Sequence, residues 1–344
     1  MGAVSGGADS GGDVAEWAED NEAWIKRYLV LEHGTPSHDT FSRVFRLLDA
    51  KVFEACFRAW TGSLVGVVAG VVAIDGKAAC GSRDGHNTAL HTISAFATAC
   101  GLCLGQEHTR GKGNEIPAIK ALLDTLALKG CIVTIDAIGC QTEIAQKILD
   151  RGGDYLLAVK DNQETLSNAL REFFADGESA GFGNLSVSRY QCVEKDHGRI
   201  ETRRALWVTD LSWLDKPLRQ RWPKLAGVGM IERQREINGK TSSERAFYIG
   251  SKGIASAESF AKAARSHWGI ENSLHWVLDV IFREDDCRVR KDHAPHNFAA
   301  LRKFALALLR QDTQYPKRSL RSRRKTAERL PDYRAALLGL VPRG

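Results

Sequence analysis

The chain has 344 residues, 43% of them hydrophobic and 26% charged, and a formal net charge of +6. This balance fits one large soluble domain or two to three smaller ones and excludes a disordered chain. The charge is uneven: from Leu301 onward twelve Lys and Arg stand against three Asp and Glu, a local +9 that leaves −3 on residues 1–300. A polyanionic partner is expected at the basic end.

Residues 1–12 are small, lack periodicity and read as flexible. Trp17, Trp24, Tyr28 and Leu31 fall near helical spacing and predict a helix over 13–31. Thr35-Pro36-Ser37 is a turn and N-cap signal, followed by predicted helices over 39–48 and 50–64. Two helices across a tight turn fit either a DNA-reading helix-turn-helix or a small helical cap on the main domain.

The apolar run Val71-Val72-Ala73-Ile74 predicts a first strand ending at Asp75, with Lys77 and Arg83 in the following loop. Further strands are predicted near 90–98 and 102–107. Asn114-Glu115-Ile116-Pro117 opens a helix to about residue 128. A fourth strand, Cys131-Ile132-Val133-Thr134-Ile135, ends at Asp136. A helix over 140–151 stops at Gly152-Gly153, strand five covers 155–160, and a helix continues to 174. Three strands followed by alternating helix and strand is the order of a ribonuclease-H-like mixed sheet. No G-x-G-x-x-G turn follows the first strand, so a dinucleotide-binding fold is not indicated.

From 175 to 250 the pattern changes. Strands near 200–208, 228–236 and 244–250, with the hairpin turn Asn238-Gly239, predict a β-rich insertion. Helices return over 256–264, 266–282 and 294–310, and the tail from Lys317 is basic and then weakly helical. The expected fold is α/β, a ribonuclease-H-like mixed sheet flanked by helices, with a β-rich insertion and a small N-terminal helical region. The expected segments are 1–62 (helical region), 63–174 (first part of the core), 175–252 (insertion), 253–315 (last core helices) and 316–344 (basic tail).

The eight cysteines are scattered. Cys100-x-x-Cys103 has no second pair and no zinc-type His spacing, so free thiols in a reducing cytoplasm are the reading. The longest apolar stretch, 64–74, is too short to span a bilayer, and no signal peptide opens the chain.

Asp75 and Asp136 each close an apolar strand. Adjacent parallel strands present their C-terminal ends on one side, and two carboxylates placed there call for a cation. An Asp after a strand can also simply cap the next helix. Glu271 shares a helix face with His267, His275 and Asp279. That stripe fits a solvated face opposite Trp268, Ile270, Leu274, Val277 and Ile281, a zinc site, or a third acid. Oxygen ligands suit magnesium, which favours Asp-Asp-Glu. Two ions roughly 3.5–4 Å apart can activate a water or a 3′-hydroxyl and stabilise the leaving oxygen, with no protein nucleophile. His267 and His275 would then lie near enough to touch DNA phosphate or orient a water.

Lys160, followed by Asn162 and Gln163, is a phosphate contact or part of a solvated loop. Arg199, Glu201 and Arg203, with His197 before them, form a basic strand face along DNA or a surface ladder. Lys317, Arg318, Arg321, Arg323, Arg324 and Lys325 form a cluster suited to the DNA backbone or a solvated tail. Lys77 and Arg265 complete the candidate DNA contacts.

These residues carry a resemblance. Ser37-His38-Asp39-Thr40-Phe41-Ser42-Arg43, Ala73-Ile74-Asp75-Gly76-Lys77, Gly113-Asn114-Glu115-Ile116-Pro117, Asp154-Tyr155-Leu156-Leu157-Ala158-Val159-Lys160, His197-Gly198-Arg199-Ile200-Glu201-Thr202-Arg203 and Ser266-His267-Trp268-Gly269-Ile270-Glu271-Asn272 occur in one order. That order resembles the bacterial insertion-sequence DDE transposases, in the subgroup that includes the H-repeat-associated proteins. The resemblance implies a Mg2+-dependent cut at transposon ends, with Mn2+ able to replace Mg2+, and joining of the 3′-hydroxyl to target DNA. It implies Asp75, Asp136 and Glu271 as catalytic, metal-binding acids, double-stranded DNA as partner, and a homodimer on paired ends.

Related transposases often show Y-x2-R-x3-E-x6-K around the Glu. Here those positions are Ala264, His267 and Leu278, so these roles do not carry over, and Arg265 with His267 are expected to stand in. Relatives usually begin with a further helical segment, so a shortened N-terminus is expected. A repurposed DNA-binding protein without catalysis and a general nuclease or resolvase are the other classes the residues fit.

Overall fold

The computed structural model describes residues 1–65, 68–83, 88–110, 112–196 and 199–342. His197, expected ahead of the basic strand face, lies outside the described residues. The chain opens with α1 (Gly2–Gly6), α2 (Gly11–Asp20) and α3 (Glu22–Ile25), then α4 (His38–Leu47) and α5 (Ala50–Val65). The first twelve residues are therefore not a flexible leader: Ala3 and Val4 are buried in a core shared with Phe298 and Leu306. The helix expected over 13–31 breaks at Asn21, whose side chain turns back to donate to the Trp17 carbonyl. Ser37 caps α4 by accepting from the Thr40 N–H. α5 lays Phe53, Phe57 and Trp60 against Phe304, which matches a helical cap on the core.

The sheet begins with β1 (Gly70–Ala79), β2 (Leu90–Ala97) and β3 (Leu102–Arg110). Then α6 (Glu115–Asp124), β4 (Cys131–Ile135), α7 (Thr142–Asp150), β5 (Asp154–Val159) and α8 (Glu164–Ala180) alternate. β1 pairs antiparallel with β2 and parallel with β4, and β4 is parallel to β5. This is the ribonuclease-H-like arrangement. Strand alternation assigns the two faces of β1. Val72 and Ile74 pack toward Leu122, Ile144 and Leu170 of α6, α7 and α8. Ala73 packs on the other face with Ile270 and Phe298. Asp75 and Lys77 continue that second face.

The insertion does not fold apart from the core. β6 (Val187–Asp196), β7 (Arg199–Val208), α9 (Lys216–Arg221), β8 (Gly227–Ile237) and β9 (Lys240–Gly250) follow. β9 pairs antiparallel with β5, so among the described residues nine strands make one sheet, ordered β3-β2-β1-β4-β5-β9-β8-β7-β6. Asn238 and Gly239 both have positive φ, 50° and 74°, as a two-residue hairpin of mirror-image type requires. β6 was not expected, because Ser188, Arg189, Gln191, Glu194 and Lys195 give it little apolar signal.

Next come α10 (Ala257–Ile270), one π turn (Glu271–His275), α11 (Trp276–Val280), α12 (Ala294–Gln311), α13 (Leu320–Arg329) and α14 (Pro331–Leu337). The two helices expected over 256–264 and 266–282 are one continuous rod interrupted by the π turn. Ser256 begins it with a capping box to Ser259. The basic tail is no free tail. Arg324 donates to the carbonyls of Ile281 and Val4, and Arg334 lies 4.9 Å and 4.2 Å from the Trp17 and Trp24 rings. Among the described residues no helix is long and apolar enough to cross a membrane.

Candidate active site

Ile74 of β1 lies in register with Ile135 of β4. Asp75 and Asp136 are each the next residue, so parallel pairing sets them side by side. One expectation is corrected here: β1 does not end at Asp75 but continues to Ala79, with Asp75 opposite Ser94 of β2. β4 stops at Ile135, so beyond that point β1 has no strand partner on that side. Asp136 stands at the head of the turn Ala137–Gly139 but makes no side-chain cap hydrogen bond. A capping role therefore does not explain it. Asn162 donates to the Ala137 carbonyl at 2.6 Å and Gln163 to that of Cys140 at 2.9 Å. These bonds tie the loop after β5 to the loop carrying Asp136.

Three residues of the α10 and α11 stripe, His267, His275 and Asp279, pack inward, and Glu271 stays exposed. His267 Nδ1 hydrogen-bonds Thr134 Oγ1 of β4 at 3.2 Å, and His275 Nδ1 lies 3.6 Å from Asp75 Oδ2. Asp279 Oδ1 pairs with Lys77 Nζ at 2.7 Å. Glu271 sits between the two histidines, as the first residue of the π turn. π turns cluster at functional positions because they re-aim side chains within a helix. The tryptophans Trp268 and Trp276, expected to pack inward opposite the stripe, are exposed as well, at 43% and 54%.

Three carboxylates from distant segments influence one another. Burial pushes the Asp75 carboxyl up to about 7; the Gly76 N–H works against this, and the charges of Asp136, Glu271 and Glu115 add to it. Glu271 is also raised, by burial and then by Asp136. Burial lowers His275 to about 3 and lowers His267, so both rings are neutral at pH 7. They are polar neighbours of the acids rather than cations for phosphate. Gly76 is needed beside Asp75, because a Cβ there would lie 2.6 Å from His91 Nε2 and 2.9 Å from Ile93 Cδ1.

Asp136, Glu271, Lys160, Arg203, Arg265 and Trp268 line a cleft of about 740 Å³. Asp75, half-buried, is not among the lining residues. The donor set is all oxygen, which fits a hard divalent ion, and crowded carboxylates with raised pKa are what such an ion would relieve. Among the described residues, however, no group of three or more His, Cys, Asp or Glu is placed to hold a metal ion, zinc included.

The candidate DNA contacts divide. Lys160, Arg199, Arg265, Arg321 and Lys325 are exposed. Lys77 is not available: its Nζ meets Asp279, Glu284 and Asp285 at 2.7, 3.3 and 3.2 Å. Burial opposes its charge, yet these carboxylates hold its pKa above the ordinary value. Arg323 donates to the carbonyls of Leu309 and Pro316, and Arg324 is buried. Reading these two and Lys77 as DNA contacts is corrected by their use inside the fold. Glu115, legible in the sequence only as part of a helix start, pairs at 2.7 Å with His91 near Asp75, and nothing local marks His91. All eight cysteines are free.

The chain resembles proteins already described. The transposase DDE domain model matches residues 40–308, and a domain described as DDE_Tnp_1-associated matches 1–61. The Escherichia coli K12 protein named "H repeat-associated putative transposase YhhI" is 37% identical over 98% of this chain and 89% of its own length. The "Putative transposase YncI" of Escherichia coli O157:H7 is 38% identical over 94% of this chain and 84% of its own. A piggyBac transposase in a synaptic complex with hairpin DNA aligns at TM-score 0.43 and 11% identity, over 95% of this chain and 72% of that one.

Proposed function

The chain belongs to the transposase DDE domain family, and from that premise we propose that it cuts DNA at the ends of its own element and joins the freed 3′-hydroxyl to target DNA. The observation that carries this reading is the mutual effect of Asp75, Asp136 and Glu271, drawn from β1, β4 and the π turn. These three would hold Mg2+, or Mn2+ in its stead. Bound divalent ions would supply an acidified water or 3′-hydroxyl and neutralise charge on the leaving oxygen.

The chain's own residues do the positioning. His267 and His275 fix the helix face against β4 and β1 without adding charge that would compete with a cation. Lys77 ties β1 to the helix carrying Glu271 through Asp279. Lys160 and Arg265 flank the acids on the cleft wall, where they would take phosphate oxygens. A homodimer would bring two element ends together.

A second reading, a DNA-binding protein that no longer cuts, draws on the three acids not converging on one ion as they stand. One experiment separates the two: incubation of a labelled duplex bearing the element's terminal inverted repeat with Mg2+. Cleavage by the wild type that is lost in Asp136→Asn, with DNA binding retained, supports the enzyme. Binding without cleavage by the wild type supports the second reading.

A further inference from the structure

The strands of the insertion run past the C-terminal ends of β4 and β5, on the side where Asp136 lies. β5 ends at Val159, opposite Phe247 of β9, which in turn faces Met230 of β8. Up to that level the α10-facing residues are apolar, with Trp207 and Ala205 of β7 and Ile231 of β8 packed on Phe260. Farther out, the same face of β7 carries Arg203, Glu201 and Arg199. The register sets Arg203 opposite Arg233 and Glu201 opposite Arg235 on β8.

Glu201 holds this group. Its carboxylate, 4% exposed, accepts a hydrogen bond from Arg203 and lies 3.7, 3.6 and 3.5 Å from Arg199, Arg233 and Arg235. Four guanidiniums thus share one buried carboxylate. Glu194 also pairs with Arg203 and Arg265, at 2.9 and 2.8 Å, and Glu244 lies 3.6 Å from Arg233. Five arginines against three glutamates leave an excess of two positive charges, and Glu194 and Glu244 sit on the exposed rim, at 44% and 72%.

A buried carboxylate needs one good counter-charge, and like charges opposite each other on neighbouring strands repel. Stability alone does not call for four. All of these arginines line the cleft that also contains Asp136 and Glu271. Neighbouring strands space such side chains about 4.8 Å apart, and guanidinium forks match phosphate oxygens in pairs. The buried Nε atoms of Arg233 and Arg235 face Glu201 at 3.6 and 3.5 Å, too far for good hydrogen bonds.

Resting on the reading of the acids as a DNA-cutting site, we propose that this arginine fan is a preformed phosphate-binding wall. It grips successive phosphates of the DNA strand leading away from the acids. Arg233 and Arg235 join Arg199 and Arg203 as contacts, and Glu201 is the positioning residue that holds the four.

The test is DNA binding without divalent metal, so that cutting plays no part. The probes are labelled duplexes of arbitrary sequence, with and without a single-stranded overhang, titrated with salt. Arg233→Gln/Arg235→Gln is compared with the wild type and with Arg151→Gln, which removes an arginine paired with Asp124 at the end of α7. The plot of log affinity against log salt should become shallower by about 1.8 for the double variant on duplex, at about 0.9 per phosphate, with equal loss on unrelated sequences. Arg151→Gln should match the wild type. A loss confined to overhang probes, nearer about 1.4 in slope, assigns the wall to the separated strand. If the double variant does not fold, Arg235→Gln alone should change the duplex slope by about 0.9. An unchanged slope in a folded variant, or a loss on one sequence only, overturns the proposal. Either result leaves the Asp136→Asn cleavage outcome untouched, so the two readings fall separately.

Discussion

The end of the sheet at β1 and β4 and the outer arms of β7 and β8 are charged in opposite ways. At the first, Asp75 is buried within reach of the charges of Asp136 and Glu271, and burial with that repulsion lifts it to about 7. At the second, one buried carboxylate is surrounded by four guanidiniums. The clamp of Lys77 by Asp279, Glu284 and Asp285 shows a third solution, in which an ionic cluster joins two elements of the fold. One lysine against three carboxylates leaves this cluster unbalanced too, so it is the opening onto the cleft, and not imbalance alone, that sets the two walls apart from it. The two cleft walls depart from balance with opposite signs. On the proposed function one wall would take a cation and the other an anion, as a site acting on a phosphodiester requires.

The largest expected effect breaks chemistry without touching the basic wall. Asp136→Asn should lower cleavage by a factor on the order of 10³ or more, the equivalent of several kcal/mol of transition-state stabilisation. Binding of the same DNA, followed by gel shift, should stay at the wild-type level. If binding falls with cleavage, the two walls are not separable.

Next in size is the clamp. Lys77→Met leaves three carboxylates without their shared cation, two of them at most 33% exposed. Urea unfolding should show a loss on the order of 3 kcal/mol. A loss near zero would mean that the cluster is solvated and does not fix Glu271 relative to Asp75.

Asp75→Asn should act in the opposite direction. The Asp75 carboxyl is raised from 3.8 to about 7 in the fold, so folding takes up a proton between those values. Stability from the protonated form is complete below about pH 4 and is lost as pH rises through 7. Without metal at pH 8, the asparagine variant should be more stable than wild type by about 2 kcal/mol. Its stability should also fall less between pH 4 and 7. A destabilised variant at pH 8 would show that the acid is not strained in the absence of a cation.

The smallest effect concerns the helix that spans both regions. Ser256 starts α10 near β6, and the rod reaches Glu271 over β1. Ser256→Ala should cost about 1 kcal/mol in thermal or urea unfolding, through loss of the capping box. No change would show that packing of Phe260 alone sets the helix start.

Much of the core was legible because its signals are local. Val71 to Ile74 and Cys131 to Ile135 are short apolar runs closed by Asp, and Asn238-Gly239 announces its hairpin within two residues. Gly152 stops α7 where a left-handed residue is needed. What was not legible depends on partners far along the chain. Lys77 reads as a free lysine until Asp279 and Asp285 arrive some two hundred residues later. Arg324 reads as part of a tail until its carbonyl partners on Val4 and Ile281 are seen. The arginine fan requires the β7–β8 register, which sequence alternation alone does not set. The histidines of the Glu271 helix read equally well as solvated, and only packing on Thr134 and Asp75 assigns their side.

On the proposed function, Asp75, Asp136 and Glu271 close on one divalent-ion site when the ion binds. Iron(II) bound in place of Mg2+, with added peroxide, cuts a protein backbone near the bound ion, and mapping the fragments locates it. Cuts are expected near residues 75, 136 and 271 together, suppressed by excess Mg2+ and by Asp136→Asn. Cuts near 75 and 136 with none near 271, or cuts unaffected by Mg2+, would contradict that closure.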